Sequence, residues 1–230
     1  MGAGAGVAGQ GAFGTRAVPQ RELSLDRTLG VRPGRVSRKT VVVSAEHHGP
    51  VLEPRGRAAA LAPAGRFHLL VNAAGLLHGP GFQPEKKLGD LHQAQLLATF
   101  TANAIGPALL LRHFSPLLDR QRALLAMLSA KVGSIEDNRL GGWYSYRASK
   151  AALNMLLKTA AIECRRSRPQ AVLVALHPGT VSSALSQPFR GDQIGRPADQ
   201  AAAELLAVID GLTPADTGRF IAYDGAALPW

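Results

Sequence analysis

From residue 67 onward the apolar positions fall into two alternating patterns. Short solid runs, Phe67–Val71, Ala123–Leu128, Ala171–Leu176 and Gly218–Tyr223, are too short for helices and read as strands buried on both faces. Between them, apolar residues recur every three or four places over Leu91–Leu118, Tyr146–Arg166 and Pro197–Ile209, the spacing of helices that bury one face. Pro197 and Asp199 supply the first-turn chemistry of the last of these. Strands alternating with helices predict an α/β fold with a doubly wound parallel sheet. In such sheets ligands bind beyond the carboxyl ends of the strands, here the loops at Asn72, Ser129–Ser134 and His177–Thr180.

Residues 1–66 carry no such pattern and read as a degenerate or irregular N-terminal part. Their one strand-like piece is Thr40-Val-Val-Val-Ser44, rich in β-branched residues. Arg57–Ala64 reads as a short helix that Pro63 ends early. The rest is a glycine- and alanine-rich run, Met1–Gly14, followed by scattered Arg, Pro and Ser. An organelle transit peptide and a poorly ordered basic leader are both open readings of so Arg-rich and acid-poor a segment. The chain therefore divides at residue 66, with an irregular basic segment at 1–66 and a regular α/β portion at 67–230.

Composition changes this picture in three places. The 230 residues hold one cysteine, Cys164, which excludes a disulfide scaffold and suits a reducing, cytoplasmic setting. No uninterrupted apolar run approaches the roughly 18–20 residues that span a bilayer, so a membrane protein is not expected. The charge of +10, from 26 basic and 16 acidic residues, at first suggests a nucleic-acid partner. Nine arginines and Lys39 against four acids place +6 of it in residues 1–66, which leaves a mild +4 on the regular portion. The Arg165-Arg-Ser-Arg168 cluster falls at a predicted helix C-terminus, where cations complement the helix dipole. No nucleic-acid partner is therefore expected.

The residues that bear chemistry are few. Tyr146 and Lys150 stand four apart on the helix Tyr146–Arg166 and so share a face. A phenol titrates near ~10. A neighbouring ammonium favours the phenolate and lowers that value, which is how a tyrosine exchanges protons near neutrality. Ser134, twelve residues upstream and just past a strand end, places a hydroxyl where it would donate to the same substrate oxygen. Tyr144 is two residues off that face and reads as packing, and Ser129 reads as a strand-end hydroxyl. His47-His48 has no spaced partners, so no metal site is expected.

Asn72-Ala-Ala-Gly75, Ser134, Tyr146-x-x-x-Lys150 and Pro178-Gly179-Thr-Val181 resemble, in order and spacing, the motifs of the short-chain dehydrogenase/reductases. Asn103-Ala-Ile-Gly-Pro107, Gly133-Ser-Ile135, the stretch Gly141–Asn154 and the ending from Thr217 to Trp230 are similar to the C-factor/sniffer-type branch. The resemblance covers residues 67–230. It implies a Rossmann-like oxidoreductase that moves a hydride between NADP or NAD and a small-molecule carbonyl or secondary alcohol. It also implies a homodimer or tetramer. Tyr146 would be the general acid or base, Lys150 would tune it and bind the cofactor ribose, Ser134 would polarise the carbonyl, and Asn103 would hold a relay water. Asn72, Ala73, Ala74 and Gly75 would line the adenosine side. Pro178, Gly179, Thr180 and Val181 would meet the nicotinamide, with Ser183 near the phosphates.

The resemblance fails at the N-terminus. The family's Gly-x-x-x-Gly-x-Gly turn, which brings backbone N–H groups to a pyrophosphate, fits no triple among Gly2, Gly4, Gly6, Gly9, Gly11 and Gly14. Two overlapping Gly-x-Gly-x-x-Gly matches, Gly4–Gly9 and Gly9–Gly14, lack the strand before and the helix after that would confirm them. A shifted reading frame, a diverged cofactor half and a replaced leader remain as explanations. A scaffold that keeps the fold as a binding or signalling module, without catalysis, is the alternative function.

Overall fold

A computed structural model describes residues 40–43, 58, 59 and 65–230. Five strands, β1 (Thr40–Val43), β2 (Leu69–Asn72), β3 (Ala123–Leu128), β4 (Ala171–His177) and β5 (Phe220–Ala222), form one parallel sheet in chain order. The four solid apolar runs are the four strands β2 to β5: β3 has the expected ends, β4 runs one residue further to His177, β2 starts two residues later and reaches Asn72, and β5 is shorter at both ends. The Val-rich piece at residues 40–43 is β1, in register with β2 from Thr40↔Leu69 to Val43↔Asn72. Of the short helix expected at 57–64, Ala58 and Ala59 are helical. The remainder of that helix, the glycine run at 2–14 and His47-His48 lie outside the described residues.

Helices cover both faces, which is why the strands are apolar throughout. On one face Leu70, Leu125, Met127, Leu173 and Ala175 pack with Leu110, Phe114, Leu153 and Leu157 from two helices, α2 (Gly106–Phe114) and α3 (Tyr144–Ser167). On the other, Leu124, Ala126, Val172 and Val174 pack with Leu205 and Ile209. These two belong to α5 (Ala198–Gly211), which follows a short helix α4 (Gly191–Ile194). Alternate residues of one strand thus serve opposite layers, and each leucine so buried contributes about 1.5–3 kcal/mol. The architecture is the expected parallel, Rossmann-like one with helices on both faces.

Arginines close the helix ends. The Arg122 guanidinium donates to the carbonyls of Ile209, Asp210 and Leu212 at the end of α5, and Arg168 donates to those of Pro116 and Leu118. At Arg168 the basic cluster at 165–168 is satisfied by backbone carbonyls.

The stretch predicted as one helix over Leu91–Leu118 is continuous but changes its winding. It runs as α1 (Gln93–Phe100), a π-helical turn (Thr101–Ile105), α2 and a 3-10 turn (Ser115–Leu117). One stretch here bears on the membrane expectation. Gln93–Leu117 is long and apolar enough, by length and composition, to cross a bilayer, its most apolar 18-residue window having a mean hydropathy of 1.4. Interspersed Gln, Thr and Asn break the apolar run, and its Leu, Ile, Phe and Ala outweigh them in the average. In this fold 44% of that window is buried within the protein.

Candidate functional site

β2, β3 and β4 end side by side, with Asn72 opposite Met127 and Leu128 opposite Leu176, so their loops share one edge. Helix α3 runs from that edge. Its buried face carries Tyr146, Lys150, Leu153, Asn154 and Leu157, the three polar groups standing at i, i+4 and i+8. The lower members of the face fix the helix in the core and thereby hold the upper two at the carboxyl edge.

Tyr146 and Lys150 do share a face, and the ammonium lies 5.7 Å from the phenol ring centroid. Both are buried, at 7% and 3% exposure. Burial pushes the Lys150 ammonium down to about 8, because its charge is taken out of water. The same burial pushes the Tyr146 phenol above its ordinary value. The lowering expected from the sequence pair is therefore outweighed by desolvation. The Lys150 Nζ donates to the Leu128 carbonyl at 2.8 Å, which ties α3 to the end of β3.

Asn103 sits in the middle of the π turn, closed by the Gly106 N–H bond to the Thr101 carbonyl. The widened turn lets its side chain leave the helix and grip the loop after β2. Its Nδ2 donates to the Leu76 carbonyl and its Oδ1 accepts the Leu76 N–H, both at 2.8 Å. Nδ2 also donates to the Ser149 hydroxyl at 3.0 Å, one residue from Lys150. A methyl group on Gly75 would sit 3.7 Å from both Asn103 Oδ1 and Lys150 Nζ. The structure thus brings Gly75, Asn103, Tyr146 and Lys150 together.

Ser134 is placed differently. Its hydroxyl donates to the Trp230 carbonyl at 3.1 Å and accepts the Asp137 N–H at 3.0 Å. The Ile135 and Glu136 N–H groups also donate to the Trp230 carbonyl. The Ser134 side chain therefore anchors its loop to Trp230, and none of its hydrogen bonds runs to Tyr146. Ser129, the strand-end hydroxyl, donates to Asn154 Oδ1 at 2.7 Å. Gly133 carries the same loop close to α3, since a Cβ there would lie 2.6 Å from the Lys150 Cβ.

The two outer motifs are turns. Asn72 is buried, and its Oδ1 accepts the Ala74 N–H at 3.2 Å, which ends β2 in an Asx-type turn through Ala73 to Gly75. After β4, Gly179 takes a positive φ of 70° beneath Arg196, whose guanidinium donates to the Pro178 carbonyl and stacks 3.5 Å from the Tyr223 ring centroid. Thr180 and Val181 run alongside Arg196, through the Arg196 N–H bond to the Thr180 carbonyl and a bridge at Val181. The Ser183 hydroxyl is engaged with Val181 and Ser186. His177 at the end of β4 is pushed down to about 4 by burial and by the charges of Lys131 and Arg196.

Sequence reasoning missed Glu85. At 2% exposure it accepts from the Ser145 N–H at 3.2 Å and from the Ser145 hydroxyl, while its own carbonyl accepts the Trp143 N–H at 2.5 Å. It seals the first turn of α3, one residue from Tyr146. The only sequence signal for this arrangement is a Ser beside the helix start, and nothing in the sequence points to a partner sixty residues away. Asn154 and Ser149 were legible only as members of the Tyr146–Lys150 face.

The site and its scaffold have relatives. The sequence profile of the short chain dehydrogenase family matches residues 55–194. The C-signal protein of Myxococcus xanthus is 40% identical over 146 residues, a stretch covering 62% of this chain and 83% of that one. Among solved structures, the carbonyl reductase Sniffer of D. melanogaster superposes with a TM-score of 0.67 at 25% identity, over 77% of this chain and 73% of that one. An NADPH-bound carbonyl reductase from chicken fatty liver does so with a TM-score of 0.66 at 27% identity, over 79% and 72%. A profile match across more than half of the chain, on a parallel sheet whose carboxyl edge gathers Tyr146, Lys150 and Asn103, makes this chain a member of the short-chain dehydrogenase family of oxidoreductases.

Proposed function

We propose that this chain reduces a small carbonyl compound, or oxidises the corresponding secondary alcohol, with NADP or NAD as hydride partner. The observation that carries the reading is the Tyr146–Lys150 face, buried at the edge where three strands end. The residues fit a nicotinamide. Gly75 leaves room beside Lys150 and Asn103, and the Pro178–Val181 turn, its carbonyls held by Arg196, Ser183 and Ser186, stands at the end of β4 on the same edge. Lys150, Tyr146 and Pro178–Val181 would hold the nicotinamide side, and Asn72–Gly75 would line the adenosine side. When bound, the cofactor supplies the hydride in reduction and takes it in oxidation.

The remaining chemistry belongs to the chain. Tyr146, protonated at neutral pH because burial disfavours its phenolate, gives its Oη proton to the carbonyl oxygen as negative charge develops there. Lys150, still charged at pH 7, stabilises the phenolate left behind, and the Leu128 carbonyl fixes the ammonium in place. Asn103 keeps the loop after β2 in register with α3 by clamping Leu76 and Ser149. Ser134 serves the site by holding the 131–137 loop to Trp230, and it reaches a substrate oxygen only by giving up that bond. Residues 67–230 form the catalytic portion, working in the cytoplasm as a homodimer or tetramer.

Tyr146→Phe tests the reading. With NADPH and a panel of small aldehydes and ketones, the variant is expected to lose 10²–10⁴-fold in kcat/KM, the range for a positioned proton donor, with its thermal midpoint kept. The engaged Ser134 hydroxyl favours a second reading, a scaffold that binds without reducing. In that case wild type and Tyr146→Phe show the same background rate, and neither NADH nor NADPH raises the thermal midpoint.

A further inference from the structure

Three aromatic rings outside the proton-transfer machinery meet beside Tyr146. Trp143 stands edge-on to it, with centroids 6.2 Å apart and planes at 79°. Phe189 packs on Trp143 at 5.0 Å, and His78 on Phe189 at 5.8 Å. The rings come from three loops, after β2, β3 and β4 in turn, and all three are half-buried. His78 is itself moored to the last loop, its Nε2 lying 3.3 Å from the Ala184 carbonyl.

Two features mark this cluster as a ligand surface rather than ordinary core. Trp143 adopts a left-handed backbone, φ 52° and ψ 44°, a conformation uncommon for a bulky residue and held here by its N–H bond to the Glu85 carbonyl. That geometry sets the indole between Tyr146 and Phe189. The charged groups nearest in sequence are turned to other partners. Arg147 donates to the carbonyls of Val132, Gly141 and Gly142, Glu85 is bound to Ser145, and Arg190 donates to Gln193. Beside Tyr146 these three loops therefore present ring surface, with Lys150 the charged neighbour on the tyrosine's own helix.

We infer that Trp143 and Phe189 form the substrate wall, and that the substrate is an aldehyde or ketone bearing a flat apolar group, an aryl or conjugated ring. The inference rests on Tyr146 as the proton donor of the proposed reaction. Edge-to-face contact with rings favours a flat π-system over a saturated ring of equal volume, by about three- to tenfold per ring.

The experiment compares benzaldehyde with cyclohexanecarbaldehyde, with NADPH, in wild type and Phe189→Ala. Binding is read independently from the fluorescence of Trp143, in a Trp230→Phe background where it is the remaining one of two tryptophans. The expected result is a kcat/KM preference of tenfold or more for benzaldehyde. Phe189→Ala cuts that preference several-fold, because it lowers the value for benzaldehyde more than the value for the saturated aldehyde, and benzaldehyde quenches Trp143. Equal turnover of the two aldehydes, or a preference unchanged by Phe189→Ala, overturns the wall and leaves the oxidoreductase reading standing. Quenching of Trp143 by benzaldehyde without turnover of either aldehyde upholds the wall and overturns the reductase reading. Neither quenching nor turnover overturns both.

Discussion

Glu85→Ala removes the carboxylate that closes the first turn of the helix bearing Tyr146. In the folded chain this side chain is 2% exposed, and both of its oxygens are used by Ser145. Truncation leaves the Ser145 N–H and hydroxyl in a buried site without acceptors, at about 1–3 kcal/mol for each group that water does not reach. It also removes a negative charge from a helix N-terminus, about 0.3–1 kcal/mol at an exposed site and up to ~2 kcal/mol in a partly buried one. Against these stands the relief of a buried carboxylate's desolvation cost, which offsets part of the loss. The expected net destabilisation is about 2–4 kcal/mol. Glu85→Gln keeps the volume and one acceptor oxygen, so it should lose only about 1 kcal/mol, chiefly the charge. Urea unfolding separates the two variants, since at constant m the midpoint reports stability alone. Because Ser145 adjoins Tyr146, kcat should follow the same order, with Glu85→Gln close to wild type and Glu85→Ala reduced about tenfold (~1.4 kcal/mol). Equal costs for the two variants, or an Ala variant within 0.5 kcal/mol of wild type (the size of an ordinary surface substitution), would refute the reasoning.

Lys150 gives a pH signature. Below about 8 the lysine is charged in both folded and unfolded chains and the cost of burying it is fully present. Between about 8 and 10.5 the unfolded chain keeps a proton that the folded chain has shed, so stability rises with pH. Lys150→Met should therefore be more stable than wild type at pH 7 by roughly 1–3 kcal/mol and lose that advantage by pH 10.5, as followed by urea midpoints across the range. A constant difference between the two proteins would dismiss the buried charge. Gly133→Ala drives a methyl to 2.6 Å from the Lys150 Cβ. It is expected to cost about 1–3 kcal/mol and to lower reductase kcat, while Gly81→Ala, whose surroundings are open but whose φ is positive, tells strain apart from collision.

Much of the scaffold is legible in the sequence because its strands are buried on both sides. Ala171–Leu176 is unbroken apolar text since Leu173 and Val174 face different helix layers, and such text has no other reading at that length. The Tyr146–Lys150 pair is legible for a similar reason, as helical spacing alone puts the two on one face. What escaped depends on distance along the chain. Ser134 stands twelve residues before Tyr146, yet its hydroxyl turns to a carbonyl 96 residues away. Glu85 bonds across 60 residues to a serine with no mark of its own. The pair's electrostatics were misjudged because spacing reveals the neighbouring charge and conceals the loss of water. The helical spacing over Leu91–Leu118 is plain in the sequence, but the π turn within it, on which the reach of Asn103 depends, leaves no periodic trace over five residues.

The bonds from Trp230 to the loop after β3 bear on how the protein is made. A chain emerging from the ribosome offers β3, α3 and β4, with the Tyr146–Lys150 face among them, well before residue 230 is synthesised. Ser134, Ile135 and Glu136 gain their shared acceptor only when Trp230 arrives and β5 has paired with β4. A domain folds as a unit, so the sheet and the site are completed together, once β5 and Trp230 are both in place. Any nick or shortening between β5 and Trp230 would leave the five strands of the sheet in place while freeing the loop that stands against Lys150. Such a product would pass as folded by its helix content and fail as an enzyme.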